Sequence, residues 1–251
     1  MRVGFVIIAR MKSTRLPKKT TLKINGKEII SLMIERLKLS PLLDEIIVAT
    51  STNPDDGVLC ELAEKNRVKC FKGSEDDVLE RMYLAAKEFD LDYVVHVTGD
   101  CPLVSFDFIG KVIEEYKKTC ADLITTFDLP HGFFLYGLKP EALKKVLEMK
   151  SQKDTEVWMR YFSDTRVFKI INLKTPEELK KPNFRLTLDY PEDFEFFKAL
   201  FKGLGKNAHK KTTNEIITFL DKHPKIVEIN EHCEAMYKKR WDAQNKAIKL
   251  K

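Results

Sequence analysis

Six of the seven residues from position 3 to position 9 (VGFVIIA) are apolar. A run with no polar alternation predicts a strand buried on both faces. Helical and extended periods then alternate. Residues 27–39 place Ile30, Met33, Ile34 and Leu37 on one helical face, 45–50 (EIIVAT) form a second buried strand, and 55–66 carry Val58, Leu59, Leu62 and Ala63 on a helix. A short strand at 68–71, a helix at 76–89, a strand at 93–98 (YVVHVT), a helix at 105–118 and a strand at 122–127 complete this half. Repeated β-α-β units with short connections predict an α/β fold, a mostly parallel Rossmann-like sheet covered by helices on both faces.

The pattern breaks at 128–143 (DLPHGFFLYGLKPEAL), which is rich in turn residues and aromatics. A helical stretch follows at 154–163, then strands at 167–173 and 184–188 that read as antiparallel additions. Helices are predicted at 192–201, 213–222 and 231–248. The chain reads as a single domain, 1–251, with an excursion at about 128–182 that suits substrate binding or dimerisation.

Composition changes this picture little. With 251 residues, 43% of them hydrophobic, the chain can bury a substantial core. The net charge of +6 is concentrated at the end. From Lys238 to Lys251 six basic residues face one acid, so the rest carries about +1. A basic terminal helix reads as a solvated face, and charge gives no indication of nucleic-acid binding. Five scattered cysteines without C-x-x-C spacing argue against a disulfide framework and a zinc site. The apolar N-terminal run is too short for a membrane span and is not shaped as a signal peptide. A reducing, cytoplasmic location is the default expectation.

Candidate chemistry lies where strands end, since open α/β sheets hold ligands at the carboxyl edge. After the first strand come Arg10, Lys12, Arg15, Lys18 and Lys19, interrupted by Ser13, Thr14 and Pro17, without glycine. Such a loop suits a polyanion such as a nucleoside triphosphate, or is a solvated basic loop. Neither G-x-x-x-x-G-K-[ST] nor G-x-G-x-x-G occurs here, so side-chain charge would have to replace a glycine cradle. In HVTGDCPLVS, Asp100 stands at the edge of a buried strand, placed either to hold Mg²⁺ against phosphate oxygens or to cap a turn. In NFRLTLDYPEDFEFF, Asp189 precedes a helix whose Pro191, Glu192 and Asp193 are ordinary helix-start residues. It either joins Asp100 on a metal or serves that helix start alone. In FKGSEDDVLERMYLAA, Ser74 and Asp76 suit helix caps, and Asp77 with Arg81 suits an intrahelical ion pair.

In this order the segments resemble the SpsF-type cytidylyltransferases of spore coat polysaccharide biosynthesis, related to CMP-Kdo and acylneuraminate cytidylyltransferases. Ala9, Arg10, Ser13, Arg15, Leu16, Pro17 and Lys19 match the family's A-R-x-x-S-x-R-L-P-x-K. VATSTNPDD, FKGSEDDVLERM, TGDCPLV and RLTLDYPEDFE resemble its later segments. The resemblance implies a GT-A-like nucleotidyltransferase fold and a homodimer. It also implies transfer of a nucleoside monophosphate from an NTP, CTP favoured, to a sugar acid or sugar phosphate with release of pyrophosphate. By the same resemblance Arg10 and Lys19 hold the β- and γ-phosphates, Ser13 and Arg15 support the loop, and Ala9 and Ser74 line the nucleotide. Asp77 and Arg81 then lie near the base or acceptor, and Asp100 and Asp189 bind Mg²⁺.

Departures from the pattern are Lys12 and Lys18, where relatives carry Gly or Ala and Gly, Tyr136 at a family Glu, and Val157, Trp158 and Met159 after Glu156. Acceptor identity therefore does not transfer. A guanylyltransferase or a non-catalytic nucleotide-binding protein remains an alternative. A glycosyltransferase would use D-x-D, where this chain has Thr98-Gly99-Asp100.

Overall fold

The computed structural model describes residues 1–155, 157–244 and 248–251. Seven strands form one sheet in the order β5-β4-β1-β6-β8-β7-β9. They are β1 (Val3–Ile8), β4 (Glu45–Ser51), β5 (Lys69–Gly73), β6 (Tyr93–Thr98), β7 (Leu123–Thr125), β8 (Tyr136–Leu138) and β9 (Ile170–Asn172). A separate small hairpin pairs β2 (Lys23–Ile24) with β3 (Lys27–Glu28). Because of it, the helix expected from residue 27 starts two residues later, as α1 (Ile29–Leu37).

All of β1 is buried, as its uninterrupted apolar run requires, and it pairs in parallel with β4 on one side and β6 on the other. The connection from β1 runs one way to β4 and the chain later returns to β6, so the carboxyl ends of β1 and β6 flank a topological switch point. Alternate β1 residues feed two cores. Phe5 and Ile7 pack beneath α1, α2 (Gly57–Lys65), α4 (Ile109–Thr119), α7 (Pro191–Leu204) and α8 (Thr213–Asp221). Val6 and Ile8 pack against α3 (Val78–Glu88), α5 (Pro140–Met149) and α6 (Met159–Ser163). The short α9 (Pro224–Val227) leads into α10 (Glu231–Gln244), 14 residues long. The helix expected to run to 248 is described as far as Gln244; residues 245–247, like Glu156, lie outside the described residues.

The second half differs from the sequence expectation in three ways. The antiparallel strand is β8, inside the aromatic segment, inserted between β6 and β7. Its centre is Gly137, where a Cβ would lie 2.1 Å from the Tyr93 hydroxyl. A three-residue strand built around a glycine carries no alternation to detect. Second, β9 lies within 167–173 but pairs in parallel with β7. Third, residues 184–188 form no ladder. They are buried and extended, but Leu186 N–H donates to His131 O (2.7 Å) while Leu188 N–H donates to Asp100 O (2.8 Å). Successive bonds to different segments make a strut between two loops, not a strand.

The cysteine expectation is corrected as well. Cys60 of α2 and Cys70 of β5 form a disulfide across ten residues, with Cα atoms 5.3 Å apart. The helix folds back on the strand that follows it, an approach no spacing motif announces. No helix among the described residues is long and apolar enough to cross a membrane.

Gly132 fixes the strut against His131. Its φ is +96°, and a Cβ there would lie 2.1 Å from the Leu186 carbonyl oxygen. Gly132→Ala is expected to destabilise the protein by about 1–3 kcal/mol through this overpacking, seen as a lower urea midpoint with an unchanged slope.

Candidate active site

The basic loop, the end of β6 and the strut converge at the switch point. Lys19 Nζ donates to Asp189 Oδ1 at 2.8 Å and to Asp100 Oδ2 in a still shorter contact. Burial by itself would lower the Lys19 pKa, but the two carboxylates outweigh it and hold the ammonium above its ordinary value. Burial would likewise raise Asp189, yet Lys19, Arg15 and Arg185 hold it well below the usual carboxylate range. Arg15 donates to Asp189 Oδ1 at 2.6 Å, with its guanidinium 5.1 Å from the centre of the Tyr190 ring. Asp100 accepts from Thr98 Oγ1 at 2.5 Å.

Two chambers meet at this cluster. The first, about 380 Å³, is lined by Ala9, Arg10, Lys12, Ser13, Arg15, Lys19, Arg81, Asp100 and Arg240, among others. Six cations line it against Asp76, Asp100 and Asp154, a net charge of +3. Its walls also hold unpartnered donors: among the described residues Arg15 Nε and Arg81 Nε and Nη2 are buried without an acceptor. Buried donors left without partners in a cleft point to an acceptor-rich ligand. Burial, with Arg10 nearby, pulls the Arg81 pKa down to about 10, still charged at neutral pH.

The second chamber, about 200 Å³, adds His96, Cys101, His131, Phe134, Tyr136, Asp189, Tyr237 and Trp241. His96 is buried beneath Tyr136 and Trp158 (ring centres 5.8 and 6.1 Å), and its Nδ1–H donates to Val6 O at 2.9 Å. Burial pulls its pKa down to about 4, leaving a neutral ring. The fold therefore places an aromatic chamber beside a cationic one, with Lys19 and Asp100 in both walls.

The loop is shaped without glycine. Lys18 occupies the left-handed region (φ 57°, ψ 27°), and its carbonyl accepts from both Thr21 N–H and Thr21 Oγ1 at 2.9 Å. A lysine there bears about 1–2 kcal/mol of backbone cost that glycine would avoid. Met11 N–H donates to the buried Asp56, Arg10 donates to Glu75 O at 2.9 Å, and Lys12 reaches the Glu75 carboxylate.

Two of the sequence candidates lie behind the wall. Asp77, not Ser74 or Asp76, caps α3 by accepting from Glu80 N–H at 3.1 Å. It also accepts from Thr155 Oγ1 at 2.9 Å and from buried Lys150, so the ion pair with Arg81 does not form. Ser74 Oγ accepts from Asp77 N–H, and the Ser74 carbonyl accepts from Arg81 at 2.6 Å.

The sequence places the helix α10 but not its part in this site. Cys233, Glu234, Tyr237, Arg240 and Trp241 recur at helical spacing and face inward, while Lys238 and Lys239 are exposed. The inner face is polar and aromatic, so hydrophobic periodicity gave little signal, and the tail read as solvated. Glu234 docks the helix by accepting from Arg185 (2.8 Å), and it lies 2.9 Å from His131 Nδ1. The buried Arg185 also donates to Asp189 (3.1 Å) and to Asp193 (2.9 and 3.1 Å), connecting the helix to the site.

The family model for cytidylyltransferases matches residues 5–230. The chain belongs to the cytidylyltransferase family. It is 36% identical to the uncharacterized protein MJ1063 of Methanocaldococcus jannaschii, over 92% of this chain and 96% of that one. It is 26% identical to the spore coat polysaccharide biosynthesis protein SpsF of Bacillus subtilis (88% and 94%). The 3-deoxy-manno-octulosonate cytidylyltransferase of Chloroherpeton thalassium is also 26% identical (94% and 84%). Among solved structures, a cytidylyltransferase from Leptospira borgpetersenii serovar Hardjo-bovis superposes with a TM-score of 0.82 at 29% identity, covering 90% of this chain and 97% of that one. Helix α10 lies beyond the residues that the family model matches.

Burial would raise the Glu234 pKa, but hydrogen bonds and charge from His131 and Arg185 lower it to about 2. Its contribution to docking is complete above about 4.5, the ordinary value, and is lost as pH falls toward 2. Trp241 fluorescence in a Trp158→Phe background should report that loss across this window. In Glu234→Gln the transition should disappear.

Proposed function

We propose that this protein transfers a cytidylyl group from CTP to an oxygen of a sugar acid or sugar phosphate, releasing pyrophosphate. The observation that carries the reading is the meeting of a +3, donor-rich chamber with an aromatic one at Lys19, Asp100 and Asp189. The triphosphate lies in the first chamber and the acceptor oxygen approaches the α-phosphorus from the second. The family supports CTP as donor, and the relatives involved in sugar-acid activation and spore coat polysaccharide support the acceptor class. In the same proposal the protein works as a homodimer through residues 128–182.

Phosphoryl-type transfer asks little covalent chemistry of the protein, so positioning and charge neutralisation dominate. A lysine ammonium ~4 Å from a phosphate charge is worth about 4 kcal/mol at an intermediate dielectric. Enzymes lower barriers by about 8–23 kcal/mol. Lys19 alone is therefore insufficient, and Arg10 and Arg15 share the pyrophosphate with it. Arg81 reads the base: its Nε–H and Nη2–H donors suit the O2 and N3 acceptors of cytosine, whereas uracil presents N3–H.

The donor set also fits Mg²⁺. Two carboxylates, Asp100 and Asp189, already share one cation, and the described residues hold no larger ligand cluster that would suit zinc. When bound, the ion neutralises phosphate charge and helps align the triphosphate. Lys19 holds the two carboxylates together and is placed to turn its ammonium toward phosphate when the nucleotide enters.

Asp100→Asn and Lys19→Ala are each expected to lower turnover by about 10²–10³-fold, the loss typical of one preorganised electrostatic group, with near-UV circular dichroism preserved. The assay is pyrophosphate release from CTP and Mg²⁺ with a panel of sugar acids and sugar phosphates. Release near the wild-type rate in either variant would refute the assignment.

A further inference from the structure

His131 lines both the aromatic chamber and an adjoining groove of about 540 Å³. Its Nδ1 lies 2.9 Å from Glu234 Oε2, and Arg185 Nη1 donates to the same oxygen at 2.8 Å. Two donors converge on one carboxylate oxygen, which is why Nη1 and Nδ1 stand 3.3 Å apart, and the imidazole proton is thereby assigned to Nδ1. Phe134 stacks on the ring (centres 5.3 Å apart), Tyr237 packs against it at 4.6 Å, and the His131 carbonyl accepts from Leu186 N–H at 2.7 Å. Nε2 makes no hydrogen bond among the described residues, so the edge left to the cavities carries a basic lone pair.

A carboxylate on the Nδ1–H of an imidazole, with Nε2 left to a cavity, has the geometry of a general base. The carboxylate sets the tautomer and stabilises the imidazolium that forms. The other groups in this wall do not offer that. Asp100 and Asp189 are engaged by Lys19. The Cys101 thiol lies 3.6 Å from Asp100 Oδ1 and from Thr187 Oγ1, both acceptors for its own proton. Burial pushes the Tyr136 and Tyr237 hydroxyls up, so they keep their protons, and it pulls His96 down to about 4, which makes that ring a weak base.

We propose that His131, oriented by Glu234, is the general base for transfer, and that the acceptor oxygen is accordingly a hydroxyl of a sugar acid, not the phosphate of a sugar phosphate. This rests on the cytidylyl-transfer reading and narrows it. A phosphate monoester has a second pKa of about 6 and attacks already ionised at neutral pH, whereas a sugar hydroxyl must lose its proton. As the bond from the hydroxyl oxygen to the α-phosphorus forms, the bond from that phosphorus to the bridging oxygen breaks, and pyrophosphate leaves with the electron pair. The hydroxyl proton passes to Nε2, the imidazolium is held by Glu234, and the proton is then lost to water.

The test measures pyrophosphate release from CTP and Mg²⁺ with sugar acids and, separately, with sugar phosphates, in the wild type, His131→Asn and His131→Ala. Asparagine keeps a donor for Glu234 near the Nδ1 position and removes the base. Release with sugar acids is expected to fall about 10²–10⁴-fold in both variants, with CTP binding by calorimetry unchanged within twofold. Free imidazole should restore part of the rate of His131→Ala, and more basic substituted imidazoles should restore more, a response that a structural role does not give. Release with sugar phosphates but not sugar acids overturns the proposal, as does near wild-type turnover in His131→Asn. Failure of every imidazole to rescue His131→Ala, or loss of CTP binding in His131→Asn, marks a structural role and overturns it too. These results defeat this assignment alone. A wild type that binds no CTP, or releases no pyrophosphate with any acceptor, defeats the cytidylyl-transfer reading and this assignment with it.

Discussion

The site depends on one buried ammonium. Lys19 lies between Asp100, at the end of β6, and Asp189, at the end of the strut, so three segments distant in sequence share one charge interaction. Two carboxylates turned toward each other out of water are tolerable only with a cation between them, because an uncompensated buried charge costs about 3–5 kcal/mol. The constraint spreads outward. Asp189 is also held by Arg15 and Arg185, and Arg185 by Asp193 and Glu234. A single network thus joins the basic loop, the start of α7 and the C-terminal helix.

The sheet explains why that network opens onto two different chambers. Parallel strands β1 and β6 present their carboxyl ends to the cationic loop, which makes one wall suited to phosphate. Antiparallel β8, inserted beside β6, brings Tyr136 over His96 and against Trp158 (4.9 Å between ring centres), which makes the other wall aromatic. Burial keeps His96 neutral there, so this wall offers stacking surface with little added charge. The difference between the cationic and the aromatic wall follows from a single strand reversal.

Burial also separates side chains that face the cleft from those that hold its wall. Arg81 reaches the cleft because its neighbours absorb only part of its donor capacity, the Ser74 and Glu75 carbonyls accepting from one nitrogen. Asp77, four residues earlier, is consumed by a cap, a threonine and a lysine. The segment that contains both therefore holds the wall with one residue and lines the cleft with the other. Spacing alone could not divide it, since residues four apart on a helix are neighbours in either role.

The sequence by itself determined the alternating α/β plan, the place of the loop after β1 with Lys19 in it, and Asp100 at the end of β6, and it singled out Asp189 before a helix start. Continuous apolar runs and helical periods record burial directly, and the cations gathered after the first strand line the cleft. Tertiary structure alone decided which charges meet. It set the disulfide, the strut in place of a last strand, the glycine-centred β8, and the turning of α10 inward. Each is a contact between distant segments whose residues are short, polar or already explained locally, and such contacts leave no period in the chain. The lysine at position 18 shows the same boundary: the sequence reveals that glycine is missing, and only the backbone shows that the left-handed turn is kept without it.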